Sequence, residues 1–293
     1  MIPEPRRPLD PLGFWLLLGL ALLFGANNLL IKVGNEGLQP AFFAGVRSAV
    51  AVLALGLWMW ARSLSPRLDL WREGLLAGLL FSAEFLLLFV ALDNTSVVRA
   101  SSLFYAMPIW LALAAHFLFP GERLTPKRAL GFALGFGGVV LTFAGRGGAG
   151  EGGIWGDLAA TVAGMAWAGI VVVARRTRFG TAPAESQIFW QVTTSTVILL
   201  ALSPLFGFPL VRDFTPVQAG MLLVQAVGVV TFGFVLWFWL IGRYQSSTVA
   251  SFSFLTPVLS ALLGWLVLGE EVGAVTPVAL ALLVAGLVLI NRR

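Results

Sequence analysis

Ten apolar runs, each long enough to cross a membrane as a helix, constrain this chain more than any other feature. They cover 12–33, 40–61, 73–92, 97–119, 127–144, 154–174, 184–203, 216–241, 246–268 and 274–290. A hydrocarbon core of about 30 Å needs roughly 18–25 such residues in a helix. Strands are excluded, because the runs lack period-two alternation and a spanning backbone must satisfy its own hydrogen bonds. Stop signals separate the runs: Ser65-Pro66, Thr125-Pro126 and the glycine-rich stretch Gly145–Gly153. With 58% hydrophobic and 11% charged residues, the chain has too little polar surface to cover a water-facing globule. The first run is too long for the apolar part of a signal peptide and is expected to remain as a helix. The reading is an all-α polytopic membrane protein with ten transmembrane helices.

Lys and Arg in the loops orient it. One side collects Arg6, Arg7, Arg62, Arg67, Arg72, Arg123, Lys127, Arg128, Arg175, Arg176, Arg178, Arg243, Arg292 and Arg293. The other collects Lys32, Arg99, Arg146 and Arg212, while Arg47 lies inside the second run. The bias alternates loop by loop, so both termini are expected in the cytoplasm and the chain in a bacterial inner membrane. The net charge of +5 comes from these short clusters, not from a basic face or arm, so no nucleic-acid partner is expected. There are no cysteines and one histidine, which leaves no thiol chemistry, no metal site and no cofactor to expect.

The second half echoes the first. Ala100–Pro108 (ASSLFYAMP) lies over Val249–Pro257 (VASFSFLTP), and each is followed by an apolar run ending in Gly-Glu, at Gly121-Glu122 and Gly269-Glu270. Thr125-Pro126 recurs as Thr276-Pro277, and Phe24-Gly25 with Lys32 recurs as Trp167-Ala168 with Arg175. Two five-helix repeats follow, 1–148 and 149–293. An odd number of helices places the second repeat upside down, the inverted architecture of secondary transporters with a site near the midplane.

On these residues, and on Gly121–Thr125 (GERLT) after the proline of the fourth run, the chain resembles the EamA family of the drug/metabolite transporter superfamily. Within it, Tyr105–Pro108 (YAMP) and an acid at Glu84 look most like the bacterial aromatic amino acid exporters, with Met107 departing from a second aromatic there. The resemblance implies alternating access, a central cavity between the halves, and helices 5 and 10 packed on the outside. No ATP-binding loop is present, so transport would be driven by gradients.

Polar groups at membrane depth are the candidate site residues. Glu84 lies mid-run and can carry a proton or pair with a substrate amine, or else serve as a bonded structural acid. Asn27 and Asn28 interrupt the first run after Gly25, either to read polar substrate groups or to glue helices together. Ser101 and Tyr105 precede Pro108, and Ser251 and Phe252 precede Pro257. Each proline frees a carbonyl and marks a hinge. Met107, Trp167 and Trp237 complete the candidates, and the deeper Trp110, Trp190 and Trp239 suit an aromatic-lined cavity. Trp58, Trp60, Trp71 and Trp155 read as interface anchors. Arg47, near the outer end of its run, can snorkel to the headgroups or meet a substrate carboxylate. Gly131, Gly135 and Gly138 form a face for close packing or a dimer contact.

The expected activity is export of amino acids, aromatic ones first, or of similar small metabolites. Another solute, such as an organic cation or drug, is the alternative. A zwitterion fits the sparse polar inventory better than a cation or a phosphorylated solute. An intramembrane enzyme would need clustered catalytic groups, and a sensor a soluble domain; neither is present. Expected partners are the small-molecule substrate and membrane lipids, with the chain a monomer or homodimer.

Overall fold

The computed structural model describes residues 9–119, 125–144, 153–244, 252 and 255–291. The helices among them are α1 (Pro11–Gly37), α2 (Pro40–Ala61), α3 (Trp71–Asn94), α4 (Val97–Phe104), α5 (Met107–Leu118) and α6 (Pro126–Ala144). They continue as α7 (Ile154–Arg176), α8 (Ala184–Leu202), α9 (Pro216–Leu223), α10 (Phe234–Arg243), α11 (Leu255–Leu268) and α12 (Val275–Asn291). Among the described residues, seven helical segments are long and apolar enough to cross a membrane, and three shorter apolar helices accompany them. The fold is all-helical and polytopic.

Start signals explain the boundaries. Asp10 accepts from the Gly13 amide at 2.7 Å, with Pro11 as the first residue of α1. Gln39 caps α2 by accepting from Phe42 N at 2.7 Å, again before a proline. Thr215 and Gln218 form a capping box at the start of α9.

Two segments are not straight helices, one of them at the expected hinge. The run 97–119 breaks at Tyr105-Ala106 between α4 and α5. Pro108 has no N–H for the Phe104 carbonyl and its ring crowds that turn, so the chain yields just upstream of the proline. The run 216–241 is not uniform either, because Val224–Gly233 joins α9 to α10 as a ten-residue π-helix. The first run, by contrast, continues unbroken through Asn27 and Asn28. Pro257 lies close to the start of α11.

The dominant packing joins the two halves of the chain. α3 lies on α7 and α8, α2 on α8, α1 on α11, and α6 on α12. Small residues permit the closest of these approaches. A Cβ on Gly286 would stand 2.5 Å from the Gly131 carbonyl oxygen and from Gly135 N, and one on Gly138 would stand 2.7 Å from the Ala279 oxygen. The glycine face of the fifth run is thus consumed inside the chain, against α12. Gly164 plays the same part at the α4–α5 break, where a Cβ would meet the Phe104 oxygen at 2.7 Å.

Both ends of the bundle are tied. On the Gly37 side, Arg99 pairs with Asp157 at 2.5 Å, with both side chains buried. There too, Arg212 grips Asp93 through two bonds of 2.7 and 3.0 Å. Lys32 donates to the Thr95 and Leu92 carbonyls at 2.6 and 3.2 Å. Glu270 accepts from the amides of Val97 and Val98 at 2.7 and 3.0 Å, an acid on the N-terminus of α4. On the Asp10 side, the Tyr244 hydroxyl donates to Asp10 at 2.7 Å. Trp190, expected deep, instead donates to the Arg67 carbonyl at 3.2 Å beside the α2–α3 connection.

Two outcomes follow for detergent-purified protein. Gly286→Ala should destabilise by about 1–3 kcal/mol, because its Cβ meets backbone. Gly19→Ala, with nothing within 4 Å of the new Cβ, should leave the melting temperature unchanged or raise it. Arg99→Leu should cost about 3–5 kcal/mol by leaving the buried Asp157 carboxylate without its cation, with the Thr95 hydroxyl still donating to it, and Arg99→Leu with Asp157→Leu should recover much of that loss. Thermal unfolding of the four variants checks both.

Candidate functional site

Three helices meet at Ser101, inside the bundle. Its hydroxyl donates to the Val97 carbonyl at 2.5 Å. That uses its one proton, so it must accept both from Asn28 Nδ2 at 2.9 Å and from the Ser260 hydroxyl at 2.5 Å. The node therefore holds α1, α4 and α11 together, which gives Asn28 and Ser101 a helix-joining role. Ser260 was not singled out in the sequence; a lone serine in an apolar run carries no signal there. Asn28 Oδ1 and Asn27 Oδ1 are buried without a hydrogen-bond partner.

The break after α4 aims an aromatic row across the interface between the halves. Tyr105 donates to the Phe24 carbonyl at 2.8 Å. Phe104 stacks on Trp167 with centroids 5.1 Å apart and planes at 19°, and Tyr105 stands edge-on to the same indole at 6.1 Å. Phe24 continues the row to Phe234 at 5.6 Å and Trp237 at 6.2 Å. So Tyr105, Trp167 and Trp237 are brought together through Phe24 and Phe104, two rings the sequence reading did not place in the site. Met107 is half-buried at the start of α5. Phe252 is not in this row: it stands edge-on to Phe14 at 5.6 Å, near the Asp10 end of α1. Ser251 lies outside the described residues.

Glu84 is 4% exposed on α3, on the same helix as the ring ladder Phe81, Phe85 and Phe89. Its charge interacts with Arg47 and with Tyr105. Arg47 does not snorkel. It is fully buried, its guanidinium sits 3.8 Å above the Phe85 ring centroid and 5.0 Å from that of Phe89, and among the described residues Nε, Nη1 and Nη2 all lack an acceptor. Phe43, edge-on to Phe89 at 5.1 Å, closes the side toward the Gly37 end. A desolvated cation–π contact contributes about 2 kcal/mol. Burying a guanidinium costs several kcal/mol, so the rings alone do not balance it. Gln225, in the π-helical stretch, is likewise fully buried with both side-chain atoms unpartnered.

The tryptophans divide as well. Trp60, Trp71 and Trp155 are exposed, as anchors should be, and Trp239 is 44% exposed. Trp58 differs: its Nε1 is buried and unpartnered, and Arg62 lies over its ring at 4.9 Å. Trp110 turns toward Phe136 on α6 at 6.3 Å, away from the central row. Among the described residues no group of acids and histidines is arranged to hold a metal ion.

Comparison with known proteins places this geometry. The model of the EamA-like transporter family matches twice, over residues 11–144 and 154–292. A probable amino-acid metabolite efflux pump of Escherichia coli is 26% identical over 282 residues, 93% of this chain and 92% of that one. An uncharacterized transporter of Archaeoglobus fulgidus is 28% identical, covering 95% of this chain and 97% of that one. The uncharacterized transporter YoaV of Bacillus subtilis is 25% identical over 87% of this chain and 88% of its own length. A protein crystal structure superposes with a TM-score of 0.64 at 23% identity, over 95% of this chain and 96% of that chain, and shows the shared fold. With two matches that together span nearly its whole length, the chain belongs to the EamA-like transporter family, as a membrane transporter and not an enzyme.

Proposed function

We propose that this transporter exports amino acids, aromatic ones first, across the bacterial inner membrane by alternating access. One observation carries the reading: at the interface of the two halves, an aromatic row from Trp167 to Trp237 lies among buried polar groups whose hydrogen bonds the protein does not complete. Rings offer stacking area for a flat side chain. Unspent amide and guanidinium groups, with the buried carboxyl of Glu84, offer contacts for an amino acid's polar end. The E. coli relative, named as a probable amino-acid metabolite efflux pump, supports the direction of transport.

The architecture under this reading is ten spanning helices in two inverted five-helix repeats, 1–148 and 149–293, with both termini cytoplasmic. The two family matches support it. So does the packing. Shifting each span by five turns the α3–α7 contact into that of α1 with the α9–α10 span, and the α1–α11 contact into that of α7 with α4 and α5. The α2–α8 and α6–α12 contacts map onto themselves. Rocking of the halves would bend the chain at the break beside Pro108 and at Pro257. The chain works as a monomer or homodimer with a small-molecule substrate, and Glu84 couples transport to protons.

Proteoliposomes loaded with radiolabelled Phe, Trp, Tyr or Thr test this. The expected result is several-fold faster efflux of the aromatic substrates, accelerated by a pH gradient. Glu84→Gln should remove the acceleration while leaving exchange measurable. A flat panel would sink the amino acid reading, and an organic cation panel would then be the next measurement. An equal response of both proteins to the gradient would clear Glu84 of coupling.

A further inference from the structure

Arg47 presents a problem that the protein itself does not solve. It is 0% exposed, Phe85 and Phe89 cover it at 3.8 and 5.0 Å, and its three nitrogens find no acceptor among the described residues. Its electrostatic counterpart Glu84 attracts it, yet among the described residues no direct ion pair joins the two. Gln225 has the same deficit, with Oε1 and Nε2 both unpartnered at 0% exposure. The two lie at similar depth on packed segments. Arg47 is seven residues past Pro40 and Gln225 nine past Pro216, about 10 and 14 Å of helix from the Gly37 side. Gln225 also falls in the π-helical stretch Val224–Gly233, a distortion often found at functional sites.

We propose that Arg47, with Gln225, is the subsite that receives the carboxylate of the transported molecule. A guanidinium offers a planar fork of donors that matches a carboxylate through two parallel bonds. The Gln225 amide adds a further donor. The charge arithmetic selects the rest of the ligand. Without a ligand, the charges of Arg47 and Glu84 offset one another. A zwitterion puts its carboxylate on Arg47 and its ammonium toward Glu84, so the site stays neutral when occupied. A simple cation or anion would leave one net charge buried in low dielectric. Phosphate, with its larger charge, would face a single cation and the repulsion of Glu84. This subsite rests on the amino acid reading for its choice of substrate, but not for its choice of functional group.

The experiment is binding to detergent-purified protein, read as a thermal shift and by competition with radiolabelled L-phenylalanine. The probes are L-phenylalanine, L-phenylalaninamide, phenethylamine and 3-phenylpropionate. Wild type should bind L-phenylalanine and lose about 10-fold or more in affinity for the amide and the amine, which lack the anion. Arg47→Gln should abolish that preference, Arg47→Lys should keep part of it, and Gln225→Leu should weaken it. Should Arg47→Gln fail to fold, Arg47→Lys, Gln225→Leu and the wild-type probe series still decide. Equal binding of L-phenylalanine and its amide by wild type would overturn the proposal. So would L-phenylalanine binding unchanged in Arg47→Lys and Gln225→Leu. If wild type binds 3-phenylpropionate but no amino acid, and Arg47→Gln loses it, the subsite stands and the amino acid reading falls.

Discussion

Every feature of this protein answers to one constraint: the hydrocarbon core supplies no water to satisfy a buried polar atom. Several serine and threonine side chains meet it locally. Ser82, Ser102, Thr142, Thr161 and Thr196 each return their hydroxyl to a carbonyl four residues back on their own helix. Others meet it by joining helices, as Ser101 does for α1, α4 and α11, and as Ser48 and Ser195 do for α2 and α8 at 3.1 Å. Against that background the unsatisfied groups stand out. Among the described residues Arg47 and Gln225 break the rule with every polar side-chain atom, and Asn27, Asn28, Asn35, Trp58, Trp110 and Thr193 with one atom each; under the proposed function, cargo supplies the partners that Arg47 and Gln225 lack. A buried group stays unpaired at a cost, and a protein built only to be stable would have replaced it.

The scaffold around these groups divides its labour. At the two ends, charge and capping contacts hold the halves in place: Arg99 with Asp157, Arg212 with Asp93, Glu270 on the start of α4, and Tyr244 on Asp10. At the periphery, glycine lets α6 and α12 approach to backbone contact. Between the ends lie the elements that break helical regularity, the α4–α5 turn and the π-helical stretch, beside the aromatic row and beside Gln225. Rigidity sits where the halves are fastened, and irregular backbone sits between those ends.

Much of the fold was legible in the sequence, because apolar run length is read by the same physics that inserts the chain. The break near Pro108 was legible too, since a proline's missing N–H has one local consequence. The π-helical stretch was not: hydropathy is blind to how a backbone is wound, and Val224–Gly233 contains no proline to mark it. Arg47 stayed ambiguous for a related reason. Snorkelling and burial differ only in which face of α2 meets lipid, and that is decided by Phe85 and Phe89 on another helix. Trp190 and Trp58 exchanged their expected roles because depth along a run does not reveal what a neighbouring loop offers, here the Arg67 carbonyl. Phe24 and Phe104 were missed as members of the row because a phenylalanine in an apolar helix looks the same in sequence whether it faces cargo or lipid.

The central claim is that the polar groups between the halves line the path of the substrate. The chain contains no cysteine, so a single thiol can be placed at will. In membrane vesicles, Asn27→Cys should react with a membrane-impermeant thiol reagent, and saturating L-phenylalanine should slow that reaction several-fold. Leu53→Cys, on a residue 74% exposed on the outer surface of α2, should show no such response. An Asn27→Cys that reacts at the same rate with and without substrate, or that no reagent reaches from either side, would contradict the account.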